Sequence, residues 1–285
     1  MSRRLPRAMA RLIVTGALLA ATLPVAAQSV LIRGATVHTA GPQGSLQNTD
    51  VLVRNGRVAA VGTGLAAGDA QVVEANGRPL TPTLFGGVTG IGIEEVSGER
   101  GTRDDRLSLG EASDMAVRPE FDVTLAFNPD SIVIPVARVE GIGFTLISAG
   151  SASSIIGGQG AVMRLDGSVD PAGPKVLYLS LGADGAEQSG SSRAAQWMVL
   201  DQLIDEARGR LPADSHVAAL TPAGKRALAP YLDGRGTIVV GVNRASDIRQ
   251  LLRWSRRHDL RIAIRGGAEG WRVASDIAAA NVPVF

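Results

Sequence analysis

Leu80–Val96 reads LTPTLFGGVTGIGIEEV, and the chain changes character across it. Upstream, from Ser29 to Arg78, short alternating segments are punctuated by turn residues, the pattern of small half-buried strands. Downstream, aliphatic runs alternate with helical patterns, and Leu84 to Ile91 is the first of those runs. A residue stretch that switches period in this way marks a domain junction, so the fold is read outward from it in both directions.

On the upstream side Val30, Ile32, Ala35 and Val37 fall in a first strand, and Asp50 to Val61 forms a hairpin about Asn55-Gly56. Asn-Gly is the strongest two-residue hairpin signal, because both positions tolerate the positive φ of a type I′ turn. Val72 and Val73 begin a third strand, closed by Asn76-Gly77. Residues 28–80 are thus expected to form a small β-sandwich-like module.

On the downstream side the expected strands are Leu84 to Ile91, Phe144 to Ser148, Val176 to Leu181, Thr237 to Val242 and Leu260 to Ile264, each aliphatic enough to be buried on both faces of a parallel sheet. The expected helices are Ser192 to Arg208, Thr221 to Leu232, Ser246 to His258 and Glu269 to Ala280. This alternation places residues 81–285 in the α/β class, as a barrel or an open sheet. A closed (β/α) barrel needs about eight strands. With these five, and Val282-Pro283-Val284-Phe285 opening one more, the expectation is an incomplete barrel. Between Ser97 and Asp122 the chain is polar and without period, an excursion placed after the first strand, where barrel enzymes build their active-site mouth.

Residues 1–27 read as a signal peptide. Arg3, Arg4, Arg7 and Arg11 precede an apolar stretch from Leu12 to Leu23, and Val25-Ala26-Ala27 supplies a small-residue cleavage site. The apolar stretch is shorter than the roughly 20 residues of a membrane span, so the expectation is export to the periplasm or medium, with no membrane association beyond the signal. Without those four arginines, 25 basic residues face 27 acidic ones, a net charge of −2 that argues against nucleic acid as a partner. There is no cysteine, hence no disulfide framework, no thiolate metal site and no cysteine nucleophile.

The order of these parts resembles the amidohydrolase superfamily, and more narrowly its exported, imidazolonepropionase-like members. The likeness rests on Val30-Leu31-Ile32-Arg33-Gly34-Ala35-Thr36-Val37-His38-Thr39, on the Asp50 to Gly62 hairpin, and on Gly77-Arg78-Pro79-Leu80-Thr81-Pro82 at the junction. Ile132, Pro135, Arg138, Gly141 and Phe144, then Gly158-Gln159-Gly160 and Asn243 to Ile248, follow in the same order. The resemblance implies a hydrolase acting on carbon–nitrogen bonds of amides or cyclic amides, with a divalent metal such as zinc activating water.

The family's metal ligands do not carry over. The segment that in the family runs Pro-Gly-Leu-Ile-Asp-x-His-x-His aligns so that the two histidine positions fall on Val88 and Gly90. The two lysines, Lys175 and Lys225, lie before a strand and within a helix, where neither could serve as a bridging ligand. No histidine closes the strands ending near Gly241-Val242 or Arg265-Gly266-Gly267. His38, His216 and His258 are scattered over a strand, a loop and a helix end, so a histidine-rich zinc site is not expected and no cofactor is assigned to this chain.

Glu94 and Glu95, with Asp104 and Asp105 behind them, are the acidic residues placed to act near the first strand, and Glu94 and Glu95 are the catalytic candidates. If they continue a strand, the two point to opposite faces and cannot share one ion. The glycines at 86, 87, 90 and 92 do not spell a dinucleotide fingerprint, and Ser189 to Arg193 lacks the glycines of a nucleophile elbow; its serines read as a helix cap. The sequence thus points to a weak or inactive amidohydrolase relative taking a small amide-type ligand. The alternative is a non-catalytic binding subunit that pairs with itself or with an intact paralogue.

Overall fold

The computed structural model describes residues 29–107, 117–150, 154–212 and 215–285; the expected signal peptide lies outside the described residues. The chain separates into two compact units, one ending at Pro82 and the other running from Thr83 to Phe285.

In the first unit β1 (Val30–His38) pairs antiparallel with β2 (Ser45–Arg54), which pairs antiparallel with β3 (Arg57–Gly62). On its other side β1 takes β4 (Gln71–Glu74) and β5 (Pro79–Leu80) in parallel, so the described residues form one five-stranded sheet. Asn55 and Gly56 have φ of 51° and 71°, as the type I′ hairpin requires. Ala35, Val37, Val51 and Ala75 make the unit's small core. Beside it Asp50 is buried, accepting the backbone N–H of Gly34 at 2.9 Å and of Leu65 at 3.0 Å. The Gly34 N–H, foremost among these groups, holds the Asp50 carboxyl below the usual aspartate range.

The second unit opens with β6 (Leu84–Thr89), followed by the short helix α1 (Val133–Val139) and β7 (Ile142–Ile147), which lies parallel to β6. Then come β8 (Ile156–Gly160), β9 (Val162–Arg164) and β10 (Val176–Ser180). Helices α2 (Ala183–Glu187), α3 (Arg193–Ala207) and α4 (Pro222–Leu232) precede β11 (Thr237–Val242), and α5 (Ala245–His258), β12 (Arg261–Gly266) and α6 (Ala274–Ala279) complete the order. Strands β10, β11 and β12 are parallel, with β8 antiparallel on the outer side of β10; the second sheet runs β6-β7-β9. Only Ala161 separates β8 from β9, so one bent segment serves both sheets. A β-carbon at Gly160 would collide with the carbonyl oxygen of Ile147, which is why the corner is a glycine.

Alternation along the strands sorts the side chains into two layers. Leu177, Leu179, Ile238, Val240, Ile262 and Ile264 face the helices, where they meet Leu200, Leu203, Ile248 and Leu251. Tyr178, Val239 and Ala263, from the intervening positions, join Leu146, Ile147 and Met163 of the other sheet in a second cluster. Both sheets therefore enclose a common interior. Each fully buried aliphatic side chain contributes about 1.5–3 kcal/mol relative to exposure, so these layers dominate the unit's stability.

The helix ends follow local chemistry. Ser192 caps α3 by accepting the N–H of Ala194, and Thr221 caps α4 ahead of Pro222. Asp259 ends α5 in the left-handed conformation at φ 58°. The expected helix from Glu269 to Ala280 divides into a 3₁₀ turn over Gly270–Val273 and α6, because Val273 leaves helical geometry (φ −133°, ψ 22°) while burying its side chain. The sequence reading did not include α1, β8 or β9. Helix α1 leaves Val136 and Val139 exposed, and β8 is glycine-rich, so neither shows a one-sided apolar period.

Candidate functional site

Parallel strands followed by helices place their carboxyl ends at one edge, and ligands of α/β sheets bind there. In this unit the edge is formed by Thr89 and Gly90 after β6, Ser148 to Gly150 after β7, and Arg265 with Gly266 on β12.

Val88 packs against the interior cluster beside its partner Leu146. Gly90 begins a turn, and a β-carbon built on it would meet the Glu94 side chain, at 3.0 Å from Oε2 and 3.2 Å from Cβ. Glu94 thus lies folded over Gly90, in the space a longer side chain at that position would need. It is held there by Arg103, whose Nε is 3.7 Å from Glu94 Oε1, and residues 94 and 103 form a β-bridge. Arg103 continues to Asp105 at 3.3 Å, and Asp105 also takes Arg106 at 3.1 Å. The Asp105 side chain is 13% exposed, and its carbonyl accepts the N–H of Gly150, tying the cluster to the end of β7. Two carboxylates and two guanidiniums balance in charge here, while the buried Arg103 Nε makes no hydrogen bond of its own among the described residues.

Glu95 turns elsewhere. Its carboxylate accepts from Ser131 Oγ at 2.9 Å, Asn128 Nδ2 at 3.3 Å and the backbone N–H of Ile132 at 3.3 Å. Ile132 precedes α1 and has no side-chain cap of its own, so Glu95 supplies the acceptor that the helix start lacks. The two glutamates diverge in the turn that follows β6, which ends at Thr89. Asp104 is exposed on the same segment.

Across the interior, Arg265 Nη1 donates to Ser148 Oγ at 3.4 Å, joining the end of β12 to the end of β7. Below them the Tyr178 hydroxyl donates to the carbonyl of Ile147 at 3.2 Å. Burial pushes the Tyr178 phenol up beyond its usual range, and the nearby Arg265 charge pulls it partly back. Thr89 and Thr145 share a hydrogen bond of 2.7 Å between their hydroxyls. Tyr231, whose hydroxyl donates to Gln159 at 3.1 Å, is pushed up to about 12 by burial and then by Asp122. Asp122 in turn pairs with Lys175, and Lys225 pairs with Glu206, so both lysines serve structural ion pairs.

These residues do not fit a zinc or related divalent ion. Val88 and Gly90 offer no donor atom, Glu94 and Asp105 are each engaged by guanidinium groups, and Arg265 brings a fixed positive charge to the same edge. Among the described residues no three His, Asp or Glu side chains gather closely enough to hold a metal. His38 bonds Ser45 in the first unit, His258 bonds Asp201 at the end of α5, and His216 is exposed in a loop. Arg103, Arg265, Ser148 and Tyr178 escaped the sequence reading. For Arg265 a signal existed: in Ile262-Ala263-Ile264-Arg265, alternation puts the arginine on the side of the small alanine, away from the isoleucines.

An amidohydrolase from Thermotoga maritima MSB8 superposes on this chain with a TM-score of 0.73 at 24% identity, over 90% of this chain and 69% of that one. The two proteins share a fold. A second amidohydrolase covers 90% of this chain and 65% of its own at TM-score 0.39, and a triazine hydrolase variant covers 84% and 53% at 0.27, both at 14% identity. Neither of these bears on the fold. No family model and no curated protein matches the sequence.

Proposed function

We propose that this chain is an exported member of the amidohydrolase superfamily, a partial barrel related to hydrolases of carbon–nitrogen bonds, whose own metal-dependent hydrolysis is weak or absent. What supports this reading above all is Gly90. The position that would present an imidazole is a glycine, and the space before it holds the Glu94 carboxylate, itself neutralised by Arg103. Metal-assisted hydrolysis needs a metal held in a fixed, open coordination shell to activate water, and among the described residues at this edge none supplies that shell. The protein then acts by binding a small ligand at the carboxyl edge of its strands, by itself or as the partner of an intact paralogue.

The test is metal loading. Purified chain is incubated with excess zinc or manganese, exchanged into metal-free buffer, analysed for bound metal by mass spectrometry and assayed on a panel of linear and cyclic amides. The expected outcome is well below one ion per chain and no metal-dependent turnover. One ion per chain, with hydrolysis that a chelator abolishes, overturns the proposal.

A further inference from the structure

We propose that the groove between helices α3 and α5 binds a flat aromatic carboxylate, its ring lying on Trp197 and its charge on Arg253. None of the strand-edge residues takes part, so the proposal stands or falls apart from the reading of the metal positions above.

Two aligned helices build the groove. Near the start of both, Arg193 Nε meets Asp247 Oδ2 at 3.2 Å. Further along, Asp201 takes Arg257 at 3.1 Å, the Trp254 indole N–H at 2.8 Å and His258 Nε2 at 2.9 Å. The contacts advance in the same direction on each helix, so α3 and α5 run side by side and are clamped at two points. Between the clamps lies an open groove of about 660 Å³. That volume falls in the range of small-molecule sites, roughly 300–1,000 Å³. Trp197 stands one turn from Arg193 and one turn from Asp201, while Gln250, Arg253 and Trp254 share the facing side of α5. The two indoles, 6.1 Å apart, are two of the chain's three tryptophans. Trp254 is 4% exposed, whereas Trp197 is only half-buried, so the ring of Trp197 is the one a ligand can reach.

Counting every charge on the two helices leaves the groove positive. Of the five charged side chains that line it, Arg193 is paired with Asp247 and Arg257 with Asp201, and Arg253 has no carboxylate partner among the described residues. Away from the groove Asp205 is paired with Arg210, Glu206 with Lys225 and Arg249 with Asp276, and Arg256 adds further positive charge. Arg253 and Gln250 are both exposed and open to a solute. A guanidinium presents parallel N–H groups that match the two oxygens of a carboxylate, and the glutamine amide adds a donor. Asp201 and Asp247 close the two ends of the groove, so a second negative charge on the ligand would face one of them. An indole face offers a ring a stacking surface that an aliphatic body does not use. One negative charge on an aromatic body is the combination that these walls fit.

The experiment is a titration of the ¹⁵N-labelled full chain, followed through its three indole N–H resonances, with benzoate as probe. Cyclohexanecarboxylate keeps the charge without the ring, and benzamide keeps the ring without the charge. Benzoate is expected to shift the Trp197 signal saturably and to bind more tightly than either comparator. Trp271, 78% exposed and outside the groove, reports indiscriminate stacking and is expected to stay in place. Arg253→Gln is expected to raise the benzoate Kd about tenfold or more, the loss of one charge-assisted contact, and Arg253→Lys to retain part of the affinity. Trp197→Leu, read through the Trp254 signal, removes the preference for benzoate over cyclohexanecarboxylate. Trp197 also packs against the core, so the Arg253 variants, at an exposed position and with an unchanged melting temperature, decide the matter if Trp197→Leu does not fold. The inference is overturned by the absence of a saturable shift, by a Trp271 shift with the same concentration dependence, by a comparator that binds as tightly as benzoate, or by an Arg253→Gln Kd equal to that of the parent.

Discussion

Ile238, Val240, Ile262 and Ile264 point from β11 and β12 toward the helices and are at most 6% exposed, while Asn243 and Arg265, a step further along the chain, stand exposed at the strands' carboxyl edge. Both regions belong to the same strands, yet different physics selects their residues. Facing the helices, any aliphatic side chain of suitable volume serves, and the requirement is set by packing density. At the edge no burial constrains identity, so chemistry does. This is how a fold can match that of a known hydrolase while its edge residues, here glycine, valine and arginine among others, vary independently of the packed layers.

Variants can sharpen or break that contrast. The largest effect is expected from Leu251→Ala, a fully buried α5 side chain whose truncation costs about 2–5 kcal/mol in denaturant unfolding. A cost near zero would mean that this layer is not the packed core described here. Next is Glu206→Gln, because Glu206 is 1% exposed and accepts the N–H groups of Ala219 and Leu220 ahead of α4. An amide oxygen in the place of Oε2 can still accept both N–H groups, but its NH2 then faces the Lys225 ammonium, which loses its ion pair, at about 1–3 kcal/mol.

At the edge the expected effects are smaller and mutually dependent. Gly90→His should be destabilising by itself and less so in combination with Glu94→Ala, with a coupling of about 0.5–3 kcal/mol in a double-mutant cycle. Strict additivity would show that Glu94 does not occupy the space in front of Gly90. Glu94→Ala alone, removing a 3.7 Å ion pair with a partly exposed arginine, should cost about 1 kcal/mol or less.

The pH dependence separates the two units. Asp50 is held below its usual value in the folded state, so its contribution is fully present above about 4, the ordinary aspartate pKa, and is lost as pH falls through its own lower value. Acid unfolding of the first unit, followed by the Asn55 and Gly56 amide resonances, should flatten in Asp50→Asn. An unchanged acid limb would show that another group controls it.

Much of the architecture was legible in the chain. Asn55-Gly56 marked the hairpin, the aliphatic runs at 84–91, 176–181 and 237–242 each contain an observed strand, and 260–264 overlaps another that continues to Gly266. Short or glycine-rich pieces escaped: the chain Ile156-Gly157-Gly158-Gln159-Gly160 has little strand propensity, and Gly160 is there because the strand corner lies against the Ile147 carbonyl. The sequence also singled out Val88 and Gly90 as non-ligating positions, since side-chain chemistry can be read from residue identity alone. That Glu95 would attend to α1 while Glu94 covers Gly90 could not be read, because both are carboxylates one residue apart and their partners lie at residues 103, 128, 131 and 132.

Periodicity and residue type by themselves determined that a small β unit precedes an α/β unit, and that no histidine pair follows the first α/β strand. Those properties are local, set by the repeat of each element and the atoms of each side chain. Only the tertiary structure decided that Arg103 neutralises Glu94 and Asp105, and that Arg265 meets Ser148 across the interior. Such pairings depend on the distance between chain segments more than a hundred residues apart in the last case, and a guanidinium's partner is fixed by which strands curve together.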